Sequence, residues 1–300
     1  MEKLKRRKLI TWTAVGISAS FANFWAYWGI NENFHEGWYH IGFWDNVLMM
    51  FGQYLSMSIA FMLLAVVSIR WNKFGSLLHL LLAIGSYFFF SKSFAGFFLI
   101  AIPLFGLALL YWFAHLEHRR FAYVLVLGLP LLQIFGIGTY HAIRVANRYN
   151  DNNFTGRQVN GNGIALMWAP QGPGWPDNGT SWDEAKNICA HLNNDGTKIQ
   201  NDELHIWRLP TIDEAVRSMA YHGRNAGGIW DSSAKAATYK IQPDKESPLW
   251  NIHLKTIYWW TSTEVNEKNA YIIVYNGGVW SRSKKIKAGY LNFRAVKEIK

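Results

Sequence analysis

Long apolar segments crowd into residues 9 to 141, and this uneven distribution constrains the fold more than any other feature of the sequence. Most of the five segments are close to the roughly 20 residues that a helix needs to cross a bilayer. After residue 142 the chain becomes charged, with twenty basic and fifteen acidic residues. This change predicts two domains, of which the first, over residues 1–142, is a multi-span α-helical membrane bundle. The predicted spans cover approximately residues 9–30, 47–69, 76–90, 94–114 and 121–140.

The third and fourth segments allow two interpretations. The third is short, and only Ser91, Lys92 and Ser93 separate it from the fourth. The two segments form either a tight hairpin of full spans or a re-entrant pair. Both interpretations leave an odd number of crossings, whereas loss of only one segment would make the number even.

Basic residues in the loops predict the orientation, because Lys and Arg in short loops stay on the cytoplasmic side. A cytoplasmic N-terminus places nine of them inside and three outside. The basic run at residues 3–8 also fits a cleaved signal peptide, but the apolar segment behind it is too long and aromatic for one. We therefore expect a plasma (inner) membrane protein whose second half is periplasmic or extracellular.

Histidines near the ends of the predicted spans raise the question of a metal or haem site. His35 and His40 flank Glu36, but they are five residues apart with a glycine between them, which does not fit a HExxH zinc motif. We expect an interfacial aromatic belt there instead. His115 and His118 share one face of a helix end, which is compatible with a haem or quinone site and equally with a solvated helix end. We predict no cofactor, no metal site and no catalytic residue.

Helix and strand signals predict an α+β domain over residues 155–300, after a linker over residues 143–154. Residues 181–184 and 211–214 both fit the capping box, in which a hydroxyl and a glutamate satisfy the first N–H groups of a helix. The apolar stripe of the first helix points Cys189, the only cysteine, into the core. An Asn-Gly-Gly turn at residues 276–278 predicts a hairpin in a small antiparallel sheet. The predicted strands cover residues 164–168, 256–261, 270–275, 279–281 and 290–296.

Four motifs of the second half resemble, in the same order, those of the Lcl C-terminal domain. They are Ser181-Trp182-Asp183-Glu184-Ala185, then Trp207-Arg208-Leu209-Pro210-Thr211 with Glu214, then Tyr258-Trp259-Trp260-Thr261-Ser262-Thr263, and Asn292-Phe293-Arg294-Ala295-Val296. The resemblance covers roughly residues 155–298 and implies a C-type-lectin-like fold, related to the sulfatase-modifying (formylglycine-generating enzyme) domains. We expect a structural role for the motif residues Ser181, Trp182, Glu184, Trp207, Arg208, Pro210, Thr211, Glu214, Trp260, Thr261, Ser262, Thr263, Phe293 and Arg294.

The resemblance also bears on enzymatic activity. Formylglycine-generating enzymes use a pair of cysteines to bind copper, whereas this chain has one cysteine. Related ergothioneine-type oxidases hold iron with clustered histidines, but His191, His205, His222 and His253 are scattered without metal-ligand spacing. The sequence therefore favours a protein without enzymatic activity.

Binding is the other use of this fold that the resemblance implies, since Lcl-type domains are implicated in binding sulfated polysaccharides. The candidate surface combines the loop over residues 223–248 with a cationic segment that contains a tryptophan. Such a segment can hold an anionic glycan or a lipid head group, although a solvated hairpin has a similar composition. The candidate ligand-binding residues of the segment are Trp280, Arg282, Lys284, Lys285 and Lys287.

The leading hypothesis is a non-catalytic, membrane-anchored protein whose lectin-like domain binds a ligand or partner outside the cytoplasm. An anionic polysaccharide or an envelope protein fits this hypothesis. Nucleic acid does not, because the basic residues of the second half are interleaved with acids. The alternatives are a metal- or haem-dependent membrane enzyme or redox component, and a subunit of a larger membrane complex. The sequence makes no prediction of the oligomeric state.

Overall fold

The structure is a computed structural model that describes residues 2–90, 93–115 and 119–299. The chain divides into two compact units, which we call the helical unit and the α+β unit. The helical unit consists of Met1–Trp38 and Gly42–Val145, and the α+β unit of Tyr39–Ile41 and Ala146–Lys300.

The five predicted apolar segments each lie in a helical run of the chain, and several runs contain a π-helical turn. The first run is longer than the predicted span and continues through His35, which we had expected in a loop. The bounds are α1 Glu2–His35; α2 Phe43–Met49, followed by the π-helical Met50–Tyr54; α3 Ser56–Arg70; α4 Asn72–Phe89; α5 Phe94–Gly96, followed by the π-helical Phe97–Ala101; α6 Ile102–Phe113; α7 Arg119–Tyr123, followed by the π-helical Val124–Gly128; and α8 Leu129–Ala146.

Two of these runs, within the described residues, are long and apolar enough to cross a membrane, namely Phe94–Phe113 and Arg119–Ala146. A third span is added if Phe43–Tyr54 and Ser56–Arg70, which are bent by 62° at their junction, count as one broken helix. Length and composition thus support two or three spans, and they do not establish the predicted bundle of five.

Polar side chains join the helices of the helical unit. The hydroxyl groups of Ser18 in α1 and Tyr111 in α6 lie 3.0 Å apart, and the Ser76 hydroxyl of α4 donates to the Ala108 carbonyl of α6 over 2.6 Å. His79 of α4 is fully buried, with its ring centroid 5.4 Å from that of Tyr111. Such interhelical contacts hold helices together where apolar side chains alone give little preference for one arrangement.

The α+β unit contains two helices and four small sheets in its described part. A three-stranded sheet has the order β1-β2-β11 and a four-stranded sheet the order β10-β7-β8-β9, while β3–β4 and β5–β6 form two-stranded hairpins. The helices are α9 Trp182–His191 and α10 Ile212–Ser218. The strands are β1 Arg157–Gly161, β2 Ile164–Trp168, β3 Ala220–Tyr221, β4 Arg224–Asn225, β5 Ile229–Asp231, β6 Ala236–Thr238, β7 Tyr258–Glu264, β8 Asn269–Val274, β9 Val279–Ser283, β10 Leu291–Asn292 and β11 Val296–Glu298.

The structure confirms a mixed α+β arrangement and corrects three details. The strand β10 pairs parallel with β7, so the sheet is not purely antiparallel. The strand predicted over residues 290–296 is split between two sheets, because Arg294 turns inward and donates to the carbonyl of Ala169 over 2.9 Å. The loop expected over residues 223–248 contains the β5–β6 hairpin and β4, which pairs with β3 just before the loop; strands of two or three residues are too short for an alternating pattern.

Both predicted capping boxes are present, and the helices that they begin, α9 and α10, bury apolar side chains in the core. The hydroxyls of Ser181 and Thr211 each accept an N–H at the third residue of their helix, and the glutamate at that residue accepts in return. Cys189 on α9 is 1% exposed, as predicted, and burial raises the pKa of its thiol. The thiol therefore acts as a small core hydrophobe rather than as a nucleophile.

The Thr211 cap provides a test of this packing. We expect Thr211→Ala to lower the free energy of unfolding of the α+β unit by about 1 kcal/mol, because the Glu214 N–H loses its acceptor. The measurement is a denaturant titration of the full chain, followed by pulse labelling of Cys189, the only thiol. Ser233→Ala, at an exposed site in the turn between β5 and β6, is the matched control. Equal losses in both variants would contradict the expectation.

Candidate functional site

Trp280 and Arg282 of the predicted cationic segment lie on β9, where Trp280 is exposed and Arg282 is half-buried. The indole of Trp280 is 46% exposed, and the Arg282 guanidinium carbon lies 5.1 Å from the centre of its ring. The Tyr258 ring lies 6.2 Å from that of Trp280 and 5.5 Å from that of Tyr290, which is 36% exposed. We call Trp280, Arg282, Lys285 and Tyr290 the aromatic–cationic surface.

Two of the predicted cations are engaged within the α+β unit. Lys284 Nζ lies 2.8 Å from a Glu264 carboxylate oxygen and 4.4 Å from the centre of the Trp182 ring. Lys287 Nζ lies 2.7 Å from a carboxylate oxygen of Glu184. These hydrogen bonds from lysine hold the pKa of each glutamate below its usual value. Lys284 and Lys287 therefore help to fix the start of α9, and their charges are largely balanced.

Lys285 differs from its two neighbours. Its side chain is exposed and has no hydrogen-bond or ion-pair partner among the described residues. The structure thus brings Trp280 and Arg282 together, links Trp280 to Tyr290 through Tyr258, and leaves Lys285, three residues after Arg282 in sequence, without a balancing acid among the described residues. Tyr290 lies at the start of the strand predicted over residues 290–296. The sequence does not show which side chains of that strand face the solvent, so it does not identify Tyr290 as a candidate ligand-binding residue.

The motif residues contact one another across the fold. Arg208 forms a two-point ion pair with Glu214, with both N···O distances at 2.7 Å. Burial alone would raise the pKa of Glu214, but Arg208 and the backbone N–H of Thr211 hold the pKa below its usual value. Other motif contacts join Trp182 to the Thr261 carbonyl, Trp260 to the Thr180 carbonyl, Ser262 to the Pro210 carbonyl and Thr263 to the Ile212 N–H. These contacts fit the structural role expected from the sequence.

A groove of about 710 Å³ runs beside Arg208 along the edge strand β11. Its charged side chains already have partners, since Lys297 Nζ donates to the Asn194 carbonyl over 2.6 Å and His205 Nε2 lies 2.8 Å from a Glu203 carboxylate. In the described part of the chain, no group of three or more His, Cys, Asp or Glu side chains could hold a metal ion. His115 is described, but His118 lies outside the described residues.

A buried ionic cluster in residues 244–247 was not anticipated from the sequence. Arg148 Nη2 lies 3.0 Å from Asp244 Oδ1, and the side chains are 3% and 2% exposed. The Glu246 carboxylate accepts the His222 backbone N–H over 2.6 Å. Lys245 is fully enclosed and donates from Nζ to the Leu254 carbonyl. A run of three charged residues followed by Ser-Pro is typical of a solvated loop, so this burial has no signal in the sequence.

The chain was compared with protein-family models, curated proteins and solved structures, and none of the three comparisons gave a match.

Lys245 gives the α+β unit a predictable pH dependence. Burial lowers the pKa of Lys245 from 10.5 to about 7; the positive charge of Arg148 adds to this effect, and Asp244 opposes it. Between these two pH values the unfolded chain binds a proton that the folded chain lacks. The free energy of unfolding should therefore rise with pH from 7 to 9, by at most about 1.4 kcal/mol per pH unit from this group.

Lys245→Met removes the titrating group and should flatten this rise, as measured by denaturant titrations with Cys189 labelling at pH 7, 8 and 9. Lys235→Met, at an exposed position in the β5–β6 turn, should leave the rise unchanged. An unaltered slope in Lys245→Met would show that another group produces the pH dependence.

Proposed function

We propose that this chain is a membrane-anchored binding protein, in which the helical unit is the anchor and the α+β unit presents the binding surface. The observation that carries the proposal is the exposed Trp280 with Arg282 over its ring, on a unit joined in sequence to helices that are apolar enough to cross a membrane. Exposed aromatic and arginine side chains are enriched at binding sites, because they offer large contact areas at low entropic cost.

The proposed anchor is a five-span bundle. Support comes from the helical run found at each of the five predicted segments, although only two or three runs meet the criteria of length and apolarity. The distribution of Lys and Arg favours a cytoplasmic N-terminus in a plasma (inner) membrane. With five spans, the α+β unit lies in the periplasm or outside the cell.

The proposed fold of the α+β unit is C-type-lectin-like, as the resemblance to the Lcl C-terminal domain implies. Two features of the unit support this proposal. The strands nearest its two ends, β1 and β11, lie in one sheet with β2 between them. The four motifs also pack against one another in its core, through pairs such as Trp182 with Thr261. On this basis the unit is a non-catalytic binding module.

The proposed ligand is an anionic polysaccharide or an acidic region of an envelope protein. Arg282 and Lys285 supply the positive charge, whereas Trp280 and Tyr290 supply flat apolar faces against which a sugar ring or an apolar side chain can pack. The balanced charges of Lys284 and Lys287 contribute less, because an incoming anion would compete with Glu264 and Glu184.

Binding can be tested with the full chain in detergent, on an array of anionic glycans and by pulldown of envelope proteins. Trp280→Ala and the double variant Arg282→Gln/Lys285→Gln should each weaken binding by about fivefold or more, equivalent to roughly 1 kcal/mol. Lys198→Gln/Lys235→Gln removes the same charge elsewhere on the unit and should change binding less than about twofold. Unchanged binding in both test variants would refute the assignment of this surface.

Topology can be tested by fusing alkaline phosphatase or a fluorescent protein to the C-terminus. The proposal requires an active phosphatase fusion, because that enzyme matures outside the cytoplasm. A brightly fluorescent cytoplasmic fusion would instead place the α+β unit inside and imply an even number of spans.

A further inference from the structure

A small polar cleft lies in the helical unit where α3 and α6 end and where α4 and α7 begin. Its volume of about 40 Å³ accommodates about three water positions, and therefore three oxygens of a tetrahedral anion, with the fourth at the opening. The cleft is lined by Ser68, Ile69, Arg70, Asn72, Tyr111, Ala114, His115 and Arg119.

Among the described residues, the charged side chains that line this cleft are all positive. Arg70 and Arg119 both contribute to its lining, which contains no acidic residue among those described. Neither guanidinium lies within 4.0 Å of a carboxylate in the described part of the chain. Arg70 lies beside the ring of Trp71, at 5.5 Å from its centre, which leaves its N–H groups able to donate. Within the part of the chain that the structure describes, the cleft therefore contains two arginines whose guanidinium groups are not paired with a carboxylate.

Side chains from two other helices bind the backbone at the end of α6. The side-chain amide of Asn72 in α4 donates to the Ala114 carbonyl over 2.6 Å. The Thr11 hydroxyl of α1 accepts the His115 backbone N–H over 2.8 Å, and its single hydrogen lies between the Arg7 carbonyl at 2.8 Å and the His115 carbonyl at 3.2 Å. The Ala114 carbonyl, which would otherwise repel an anion at this helix end, is thus hydrogen-bonded.

The inner wall of the cleft is polar and held in place. Tyr111 is buried and its hydroxyl meets that of Ser18, while the Ser68 hydroxyl donates to the Leu64 carbonyl over 2.8 Å. These groups are satisfied within the bundle, so a ligand would not need to reorganise them. The wall is preorganised, and binding would mainly require ordering of the two arginine side chains.

We propose that this cleft binds a phosphate group, with Arg70 and Arg119 as its charged ligands and Asn72 and His115 beside them. Guanidinium groups bind phosphate oxygens through paired N–H···O bonds, and basic pockets between membrane helices hold phospholipid head groups. Arg119 begins a run long enough to span a membrane, so the cleft lies at the level where such a run would leave the hydrocarbon layer. The phosphate belongs either to a phospholipid or to a soluble phosphate ion.

Native mass spectrometry of the full chain, purified in detergent and supplied with phosphatidylglycerol, tests this proposal. Arg70→Gln/Arg119→Gln should reduce the lipid adducts by about fivefold or more, because both charged ligands are lost. Lys73→Gln/Arg120→Gln is the matched control, since it removes two basic side chains near the test positions, at the starts of α4 and α7, outside the cleft lining. The control should change the adducts by less than about twofold.

Two further measurements are needed. The first identifies the source of the phosphate, and the second tests whether misfolding causes the loss of adducts. Displacement of the lipid by inorganic phosphate, but not by chloride at equal ionic strength, would assign the cleft to free phosphate, whereas persistent adducts would assign it to the lipid head group. Arg70→Lys/Arg119→Lys keeps the charge and should retain more adducts than the glutamine variant. Equal loss in the cleft and control variants, or no loss in the cleft variant, would overturn the proposal.

Discussion

A guanidinium group buried in a protein core needs hydrogen-bond partners, because an unpaired buried charge would cost several kcal/mol. Arg294 finds them in backbone carbonyls, since Nε donates to that of Ala169 and Nη1 to those of Pro248 and Leu249. The three carbonyls belong to the end of β2 and to the segment that precedes β7. The guanidinium also lies 5.7 Å from the centre of the Trp259 ring on β7, so Arg294 links the two larger sheets. The chain passes from one sheet to the other at this arginine, between β10 and β11.

Local signals were sufficient for the helices and the main hairpin of the α+β unit. The caps at Ser181 and Thr211 and the turn at residues 276–278 are each set by fewer than five residues, so they can be read from sequence. The parallel pairing of Leu291 with Tyr258 joins residues far apart in the chain and has no local pattern. The burial of residues 244–247 was missed for the same reason, since it depends on partners such as Arg148.

For the candidate binding surface, too, some features follow from local sequence and others depend on tertiary contacts. The sequence identified a tryptophan surrounded by cations, but the charge that each cation presents depends on acids elsewhere in the chain. Glu184 and Glu264 balance Lys287 and Lys284, although they lie on α9 and β7. The contact of Trp280 with Tyr258 likewise depends on how β7 and β9 flank β8 in the four-stranded sheet. Composition therefore predicts a cationic segment with a tryptophan, and tertiary structure determines which of its cations are paired with an acid.

The residues that follow α8 are hydrogen-bonded to the α+β unit, and these contacts determine how a force on the chain would be transmitted. Arg148 pairs with Asp244, the Tyr149 carbonyl accepts the Ser247 N–H over 3.0 Å, and the Ser247 hydroxyl donates to Asp151 over 2.8 Å. Tension applied between a bound ligand and the end of α8 would pass through these contacts before it reached the sheets. The ionic cluster would then act as the attachment point that carries the load, so the strength of the anchor would depend on these contacts as well as on the helices.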